Sequence, residues 1–477
     1  MTTPIVHAPC GAVAGIERPG SLAFLGIPFA EVPVGERRFQ APVRRGVWSD
    51  VRDATEYGAT PQRRSPYPAT TIPEPIIAGE DILNLNVFTP IADPSARLSV
   101  HVYIHGGGYV SGSHAGSWFD GATYNRDNIV VVTIAYRLGF EGFGWIADAP
   151  RNRGLLDMVC ALEWVRDNIA AFGGNPQDVT ISGQSAGGGA VLSLLSMPAA
   201  QGLFHRVIAH SAVIGAPTAA EHEAMGRAFA ARAGVEPTIS GWSALSKDEV
   251  LDHQFAQMRD GAGIAPMVGR LVTEPTAVCE VTMDWGPALD ADTLPVAPFD
   301  AWRGGFNNHV ELLVGATADE FMMPSMAPPA AKVREWLAGV HFEPRLREYA
   351  LAQLENGSPD PIGRVATAVM FRRNALRIAD ARRAGGAPTW LYDFQQRSSV
   401  TGMSGHCLEL PFTWNCLRDA HAVKVLGAGQ PQALADEMHT AWVEFIREGD
   451  PGWEEGSGRC FGGDRRTAPF ADVQSLA

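Results

Sequence analysis

The sequence predicts an α/β protein built on a large, mostly parallel sheet, and three observations predict it. The runs "LSVHVYIHG" at 98–106, "NIVVVTIAY" at 128–136 and "DVTISG" at 178–183 are short, apolar and β-branched, as buried strands are. Between the last two, Leu155, Val159, Leu162, Val165 and Ile169 recur at helical spacing, and a strand, a helix and a strand joined by a long connection make a βαβ unit. The third observation is size: 477 residues with a hydrophobic fraction of 46% can bury one large core.

The elements follow in chain order. Gly173 and Gly174 end the helix that begins near Leu155. After "DVTISG", the stretch "AVLSLLSMP" reads as a second helix and "HRVIAHSAV" at 205–213 as another buried strand. "HVELLVG" at 309–315 and "TWLYDFQ" at 389–395 supply two more strands. Residues 217–280 and 325–388 are rich in Ala, Glu and Arg and read as helical insertions covering a pocket. No linker divides residues 1–477, so a single domain is expected.

Composition removes several function classes. A formal charge of −14 argues against nucleic acid and against an anionic membrane surface. No apolar run approaches the roughly 18 residues of a membrane helix, so neither membrane insertion nor export is expected. Six cysteines form neither a CxxC pair nor a zinc spacing, which suits a reducing, cytoplasmic protein. There is no Walker lysine, GxGxxG or HExxH, so neither cofactor nor metal is implied. His101 and His105 stand four apart, but on a strand that separates them by about 13 Å, too far for one metal ion.

The chemistry gathers around "VTISGQSAGGGA" at 179–190. Ser185 stands in a G-x-S-x-G pattern with an incoming strand and an outgoing helix. That is a nucleophile elbow, in which Gly183, Gly187 and Gly188 let helix and strand approach closely. A serine hydroxyl needs a base to take its proton. His406, in the Gly-flanked stretch "TGMSGHCLELPF" after a strand, is the candidate among 13 histidines. Asp319 and Glu320 follow "HVELLVG" at a strand's C-terminal end, where a carboxylate could orient that imidazole. His105-Gly106-Gly107-Gly108 follows a strand directly, like loops whose backbone N–H groups hold an oxyanion, and the N–H of Ala186 would join them.

Taken together the chain resembles the type-B carboxylesterases, the cholinesterase-like branch of the α/β-hydrolases. The resemblance includes "FLGIPFAEVPVGERRFQAP" at 24–42, "GEDILNLNVFTP" at 79–90, "HGGGYVSGS" at 105–113 and "YRLGFEGF" at 136–143. It continues through 152–188 and "GLFHRVIAHSA" at 202–212, and ends with "GATADEF", "GHCLELPF" and "WVEFIREGDP". It implies an α/β-hydrolase fold with a central mixed sheet and a catalytic centre at the base of a pocket. Ser185 would be the nucleophile, His406 the base and Glu320, rather than Asp319, the acid. Gly107, Gly108 and Ala186 would form the oxyanion hole, with Ser211 near the triad as a supporting residue. The expected reaction is hydrolysis of a small carboxylic ester, with no cofactor. Amide or carbamate hydrolysis, or acyl transfer, could run on the same groups. A non-catalytic binding module of this fold is the remote alternative, since such relatives lose the nucleophile that this chain keeps.

Departures from the family pattern are informative. Gln184 replaces a glutamate before the nucleophile, and Phe321 replaces a glycine after the acid, so the acid loop must turn without it. Thr60 and Ile82 replace two cysteines that pair in many relatives. Tyr109, Trp118 and Trp414 flank the catalytic segments and would either line an aromatic pocket or belong to the core.

Overall fold

The strongly apolar runs form the middle of a ten-stranded sheet in the computed structural model, which describes residues 3–64, 70–260, 283–339, 344–463 and 468–476. In chain order its strands are β1 (Ile16–Arg18), β2 (Ser21–Pro28), β3 (Asn84–Thr89), β4 (Leu98–Ile104) and β5 (Ile129–Ile134). They continue with β6 (Gly174–Gln184), β7 (Arg206–His210), β8 (Glu311–Thr317), β9 (Thr389–Phe394) and β10 (Gly458–Phe461). Across the sheet the order is β10-β9-β8-β7-β6-β4-β5-β3-β2-β1. From β10 to β5 every pairing is parallel, and β3, β2 and β1 add antiparallel neighbours at one edge. A small separate sheet joins Ile5–Ala8, Gly11–Ala14 and Arg52–Asp53.

Alternation along the strands explains how both faces are buried. Val100, Val102, Ile104, Val130, Val132, Ile134, Val179 and Ile181 point into one core. Tyr103, Ile129, Val131, Ile208 and Leu313 point into a second core on the other face. Parallel strands covered on both sides read as continuous apolar runs, and that is why these were visible in the sequence. The expected helix is α1 (Arg153–Asn168), and "AVLSLLSMP" lies in and just after α2 (Ala186–Leu194). Helices fill much of the two Ala-, Glu- and Arg-rich regions, at Ala219–Ala233, Lys247–Asp260, Ala330–Gly339, Pro344–Glu355 and Pro361–Thr367. Part of the first region, residues 261–280, lies outside the described residues.

One buried ion pair ties this scaffold together. The backbone N, Nε and Nη2 of Arg137, just past β5, all donate to Asp157 on α1, at 3.0, 2.8 and 2.7 Å. No helix among the described residues is long and apolar enough to cross a membrane. Among the described cysteines, Cys10, Cys160, Cys407 and Cys416 are free. Thr60 closes its loop by hydrogen bonds: its N–H donates to Ile77 O at 3.0 Å, and its Oγ1 accepts from Ile77 N at 3.0 Å.

Candidate active site

The chain places β5 on one side of β4 and β6 on the other, a topological switch at whose carboxyl ends ligands bind in open α/β sheets. Ser185 sits at that point, between β6 and α2, with φ 57° and ψ −121°. For a serine this backbone is strained, at about 1–3 kcal/mol. Crowding imposes it: a Cβ on Gly183 would lie 2.3 Å from Gly187 O, and one on Gly187 would lie 2.2 Å from Ile104 O. From Val179 to Met197, Ser185 is the single residue that is not fully buried. The bend thus lifts one hydroxyl out of an otherwise closed interior.

His406 and Glu320 come together across 86 residues of chain. Nδ1 of His406 makes a short contact with Glu320 Oε2, and the backbone N of His406 donates to Glu320 O at 3.1 Å. The other carboxylate oxygen, Oε1, accepts from Ser211 Oγ at 2.6 Å and from Thr317 N at 2.7 Å. An acceptor-only carboxylate forces the imidazole proton onto Nδ1, leaving Nε2 with a lone pair. That lone pair faces the side-chain amide of Gln184 at 3.2 Å, so the ring lies beside the residue that precedes Ser185. Among the described residues His406 has no hydrogen bond to Ser185 in this state, and catalytic contacts of this kind often tighten only when substrate binds.

The remaining expectations sort clearly. Glu320 turns toward His406, while Asp319 pairs with Arg364 at 2.9 Å and accepts from Ser404 N at 2.9 Å. The acid loop turns with no positive φ from 318 to 321. Phe321 instead puts its ring edge-on to His406, with centroids 5.3 Å apart, and Phe371 covers the imidazole at 4.9 Å. Gly107 and Gly108 adopt φ of 113° and 62°, and Gly106 packs against Ser185, 3.2 Å from a built Cβ to the serine Cβ. Ala186 N is at the first turn of α2, where helix geometry leaves N–H groups without an internal partner.

The aromatic-pocket alternative is corrected: Trp118 and Trp414 are buried in the second core. Trp118 donates to Asp419 Oδ1 at 3.1 Å, and Trp414 stacks on His101. Tyr109 is buried as well and packs on Phe143. His101 bonds Ser182 Oγ at 2.5 Å and His105 stacks on Tyr136, each in a different core. Among the described residues no group of His, Cys, Asp and Glu could hold a metal ion.

Two groups near the site carried no signal in the sequence. Thr317 reaches Glu320 through its backbone, which side-chain identity cannot reveal. Glu409 is fully buried, and neither carboxylate oxygen has a hydrogen-bond partner. Burial first, and the nearby Glu320 second, push its carboxyl well above the usual range, so it is held neutral. A separate cleft of about 210 Å³, lined in part by Asp319, Arg364, Arg372 and Asp472, contains neither Ser185 nor His406.

A parallel α/β sheet with a strained serine at its switch point defines the α/β-hydrolase class. Residues 2–336 match the carboxylesterase family model. Para-nitrobenzyl esterase of Bacillus subtilis is 32% identical over 470 residues, covering 95% of this chain and 92% of that protein. Phenmedipham hydrolase of Pseudarthrobacter oxydans is also 32% identical, covering 94% and 91%. A solved thermophilic PNB esterase superposes with a TM-score of 0.83 at 30% identity, over 96% of both chains. A Geobacillus stearothermophilus carboxylesterase gives 0.80 at 30% identity, again over 96% of both. The chain belongs to the carboxylesterase family, and it is a carboxylesterase.

Proposed function

We propose that this enzyme hydrolyses carboxylic esters through an acyl-enzyme on Ser185, with His406 as base and Glu320 as its orienting carboxylate. The observation that carries the reading is the strained, partly exposed Ser185, whose neighbour Gln184 contacts an imidazole already locked to a carboxylate. Attack on the carbonyl breaks the Ser185 O–H bond, and Nε2 of His406 takes the proton. The N–H groups of Gly107, Gly108 and Ala186 hold the oxyanion, and loss of one such donor slows acyl transfer by about 10²–10³-fold. The alcohol leaves with the proton from His406, and water then releases the acid by the same sequence.

Phe321, Phe371 and the helix from Pro361, whose Thr367 Oγ1 accepts from Phe321 N at 3.0 Å, form one wall of the proposed acyl site. The described helices at Ala219–Ala233, Lys247–Asp260, Pro344–Glu355 and Pro361–Thr367 would then cover it within one domain. A fluorophosphonate probe should label Ser185, and Ser185→Ala should lose both labelling and turnover of p-nitrophenyl esters. Retention of turnover by that variant would end the proposal. The same machinery serves amides, carbamates and acyl acceptors other than water. A panel of graded acyl esters beside anilides and carbamates, with and without an added alcohol acceptor, decides among them.

A further inference from the structure

The loop before β3 reaches the glycine turn after β4 through a single carboxylate. Glu74 Oε2 accepts from the backbone N of Gly112 at 3.0 Å, and Arg63 Nε lies 3.4 Å from the same oxygen. The Arg63 side chain is almost completely buried, and Glu74 is 12% exposed. Arg63 also donates to Pro61 O, Glu74 O and Pro75 O, at 3.4, 2.9 and 3.2 Å, which fixes the carboxylate from behind.

Gly112 is pressed against the start of the turn. A Cβ built there would lie 2.1 Å from Gly106 O and 2.3 Å from His105 Nδ1. Gly106 O in turn takes a hydrogen bond from His105 Nδ1 at 2.9 Å, and Gly107 O accepts from Val110 N, Ser111 N and Ser111 Oγ at 3.1, 2.9 and 3.0 Å. In a trans peptide the C=O and the following N–H point in opposite directions. Holding the carbonyls of Gly106 and Gly107 therefore aims the N–H groups of Gly107 and Gly108, the two donors assigned to the oxyanion.

We infer that Glu74, braced by Arg63, is a positioning residue for the oxyanion hole. It acts through Gly112 on the peptides that supply the donors and does not touch substrate. The inference rests on the ester-hydrolysis reading above. Misplacing donors by a fraction of an ångström should lower kcat while leaving ground-state binding nearly intact.

The test measures kcat and KM for p-nitrophenyl acetate, the inhibition constant of a trifluoromethyl ketone, and Tm, for wild type, Glu74→Ala, Glu74→Gln and Ser185→Ala. Glu74→Ala should lower kcat about tenfold or more with KM within about twofold, and weaken the ketone by the same factor. Glu74→Gln, which keeps an acceptor for Gly112, should recover part of both losses and stands in should the alanine variant not fold. Wild-type kcat and ketone affinity in Glu74→Ala and Glu74→Gln, beside an inactive Ser185→Ala, overturn the assignment of Glu74 alone. A lowered Tm with unchanged kcat and ketone affinity overturns it equally, by showing a merely structural role. Turnover by Ser185→Ala overturns the underlying reading instead.

Discussion

Acid should unfold this enzyme through histidines that take no part in catalysis. Burial depresses His101, His114 and His210 to about 3, and His105 and His222 to about 4, against an ordinary value of 6.5. All five rings are neutral in the native protein at pH 5, whereas in the unfolded chain they are almost fully protonated. The unfolded state then binds more protons, so stability present above pH 6.5 is lost as pH falls toward the folded values. At pH 5 each ring costs about 2 kcal/mol, and the five together about 10 kcal/mol. Glu409 works in the opposite direction: burial raises its carboxyl in the native state, so acidification toward its unfolded range offsets part of that loss. A loss of this order is comparable to the 5–15 kcal/mol that holds a typical domain together.

Urea unfolding at pH 7, 6 and 5, followed by the fluorescence of the 12 tryptophans, measures this directly. The midpoint should fall steeply with unchanged slope. His222→Gln, which keeps a donor for Phe143 O, now 2.8 Å away, should remove about 2 kcal/mol of the pH dependence. A stability that changes by less than about 2 kcal/mol between pH 7 and 5 would mean that these rings carry protons in the folded state, and would refute the reasoning.

The other predictions concern the site and its support. Ser211→Ala removes a hydrogen bond to the Glu320 carboxylate, worth about 1.5–3 kcal/mol, so steady-state kinetics should show kcat/KM reduced about 10- to 100-fold. Gly183→Ala drives a methyl into the backbone of Gly187, so soluble yield or activity should collapse, whereas Gly46→Ala, with nothing within 4 Å, should leave both unchanged. Asp157→Asn strands the buried Arg137 guanidinium and should cost about 3–5 kcal/mol in denaturant unfolding, with the Tm falling in parallel.

The legible parts of the fold were those written in local pattern. Seven parallel strands include the six that the apolar runs announced, because burial on both faces leaves no polar alternation to confuse the reading. The strands β1, β2, β3 and β10 and the small N-terminal sheet were not announced. β1 and β10 are short, and several of these pairings join segments far apart in the chain, as with Leu22 beside Thr89 and Val13 beside Arg52. At the site, the glycines around Ser185 betrayed a crowded bend, and His406 stood out by its loop. Phe321 shows the limit: its replacement of a glycine raised a question about the acid loop that only a turn built without positive φ could answer.

Residue identity by itself determined which groups can do chemistry here, since hydroxyl, imidazole, carboxylate and unhindered glycine N–H are properties of side chains and their absence. Packing decided which of them meet: Glu320 rather than Asp319 faces His406, Gln184 occupies its free nitrogen, and Glu74 reaches Gly112 from a loop with no motif of its own. Those choices turn on distances of a few tenths of an ångström between segments remote in sequence. Such distances are set by how the two cores close over the sheet, and no local pattern encodes them.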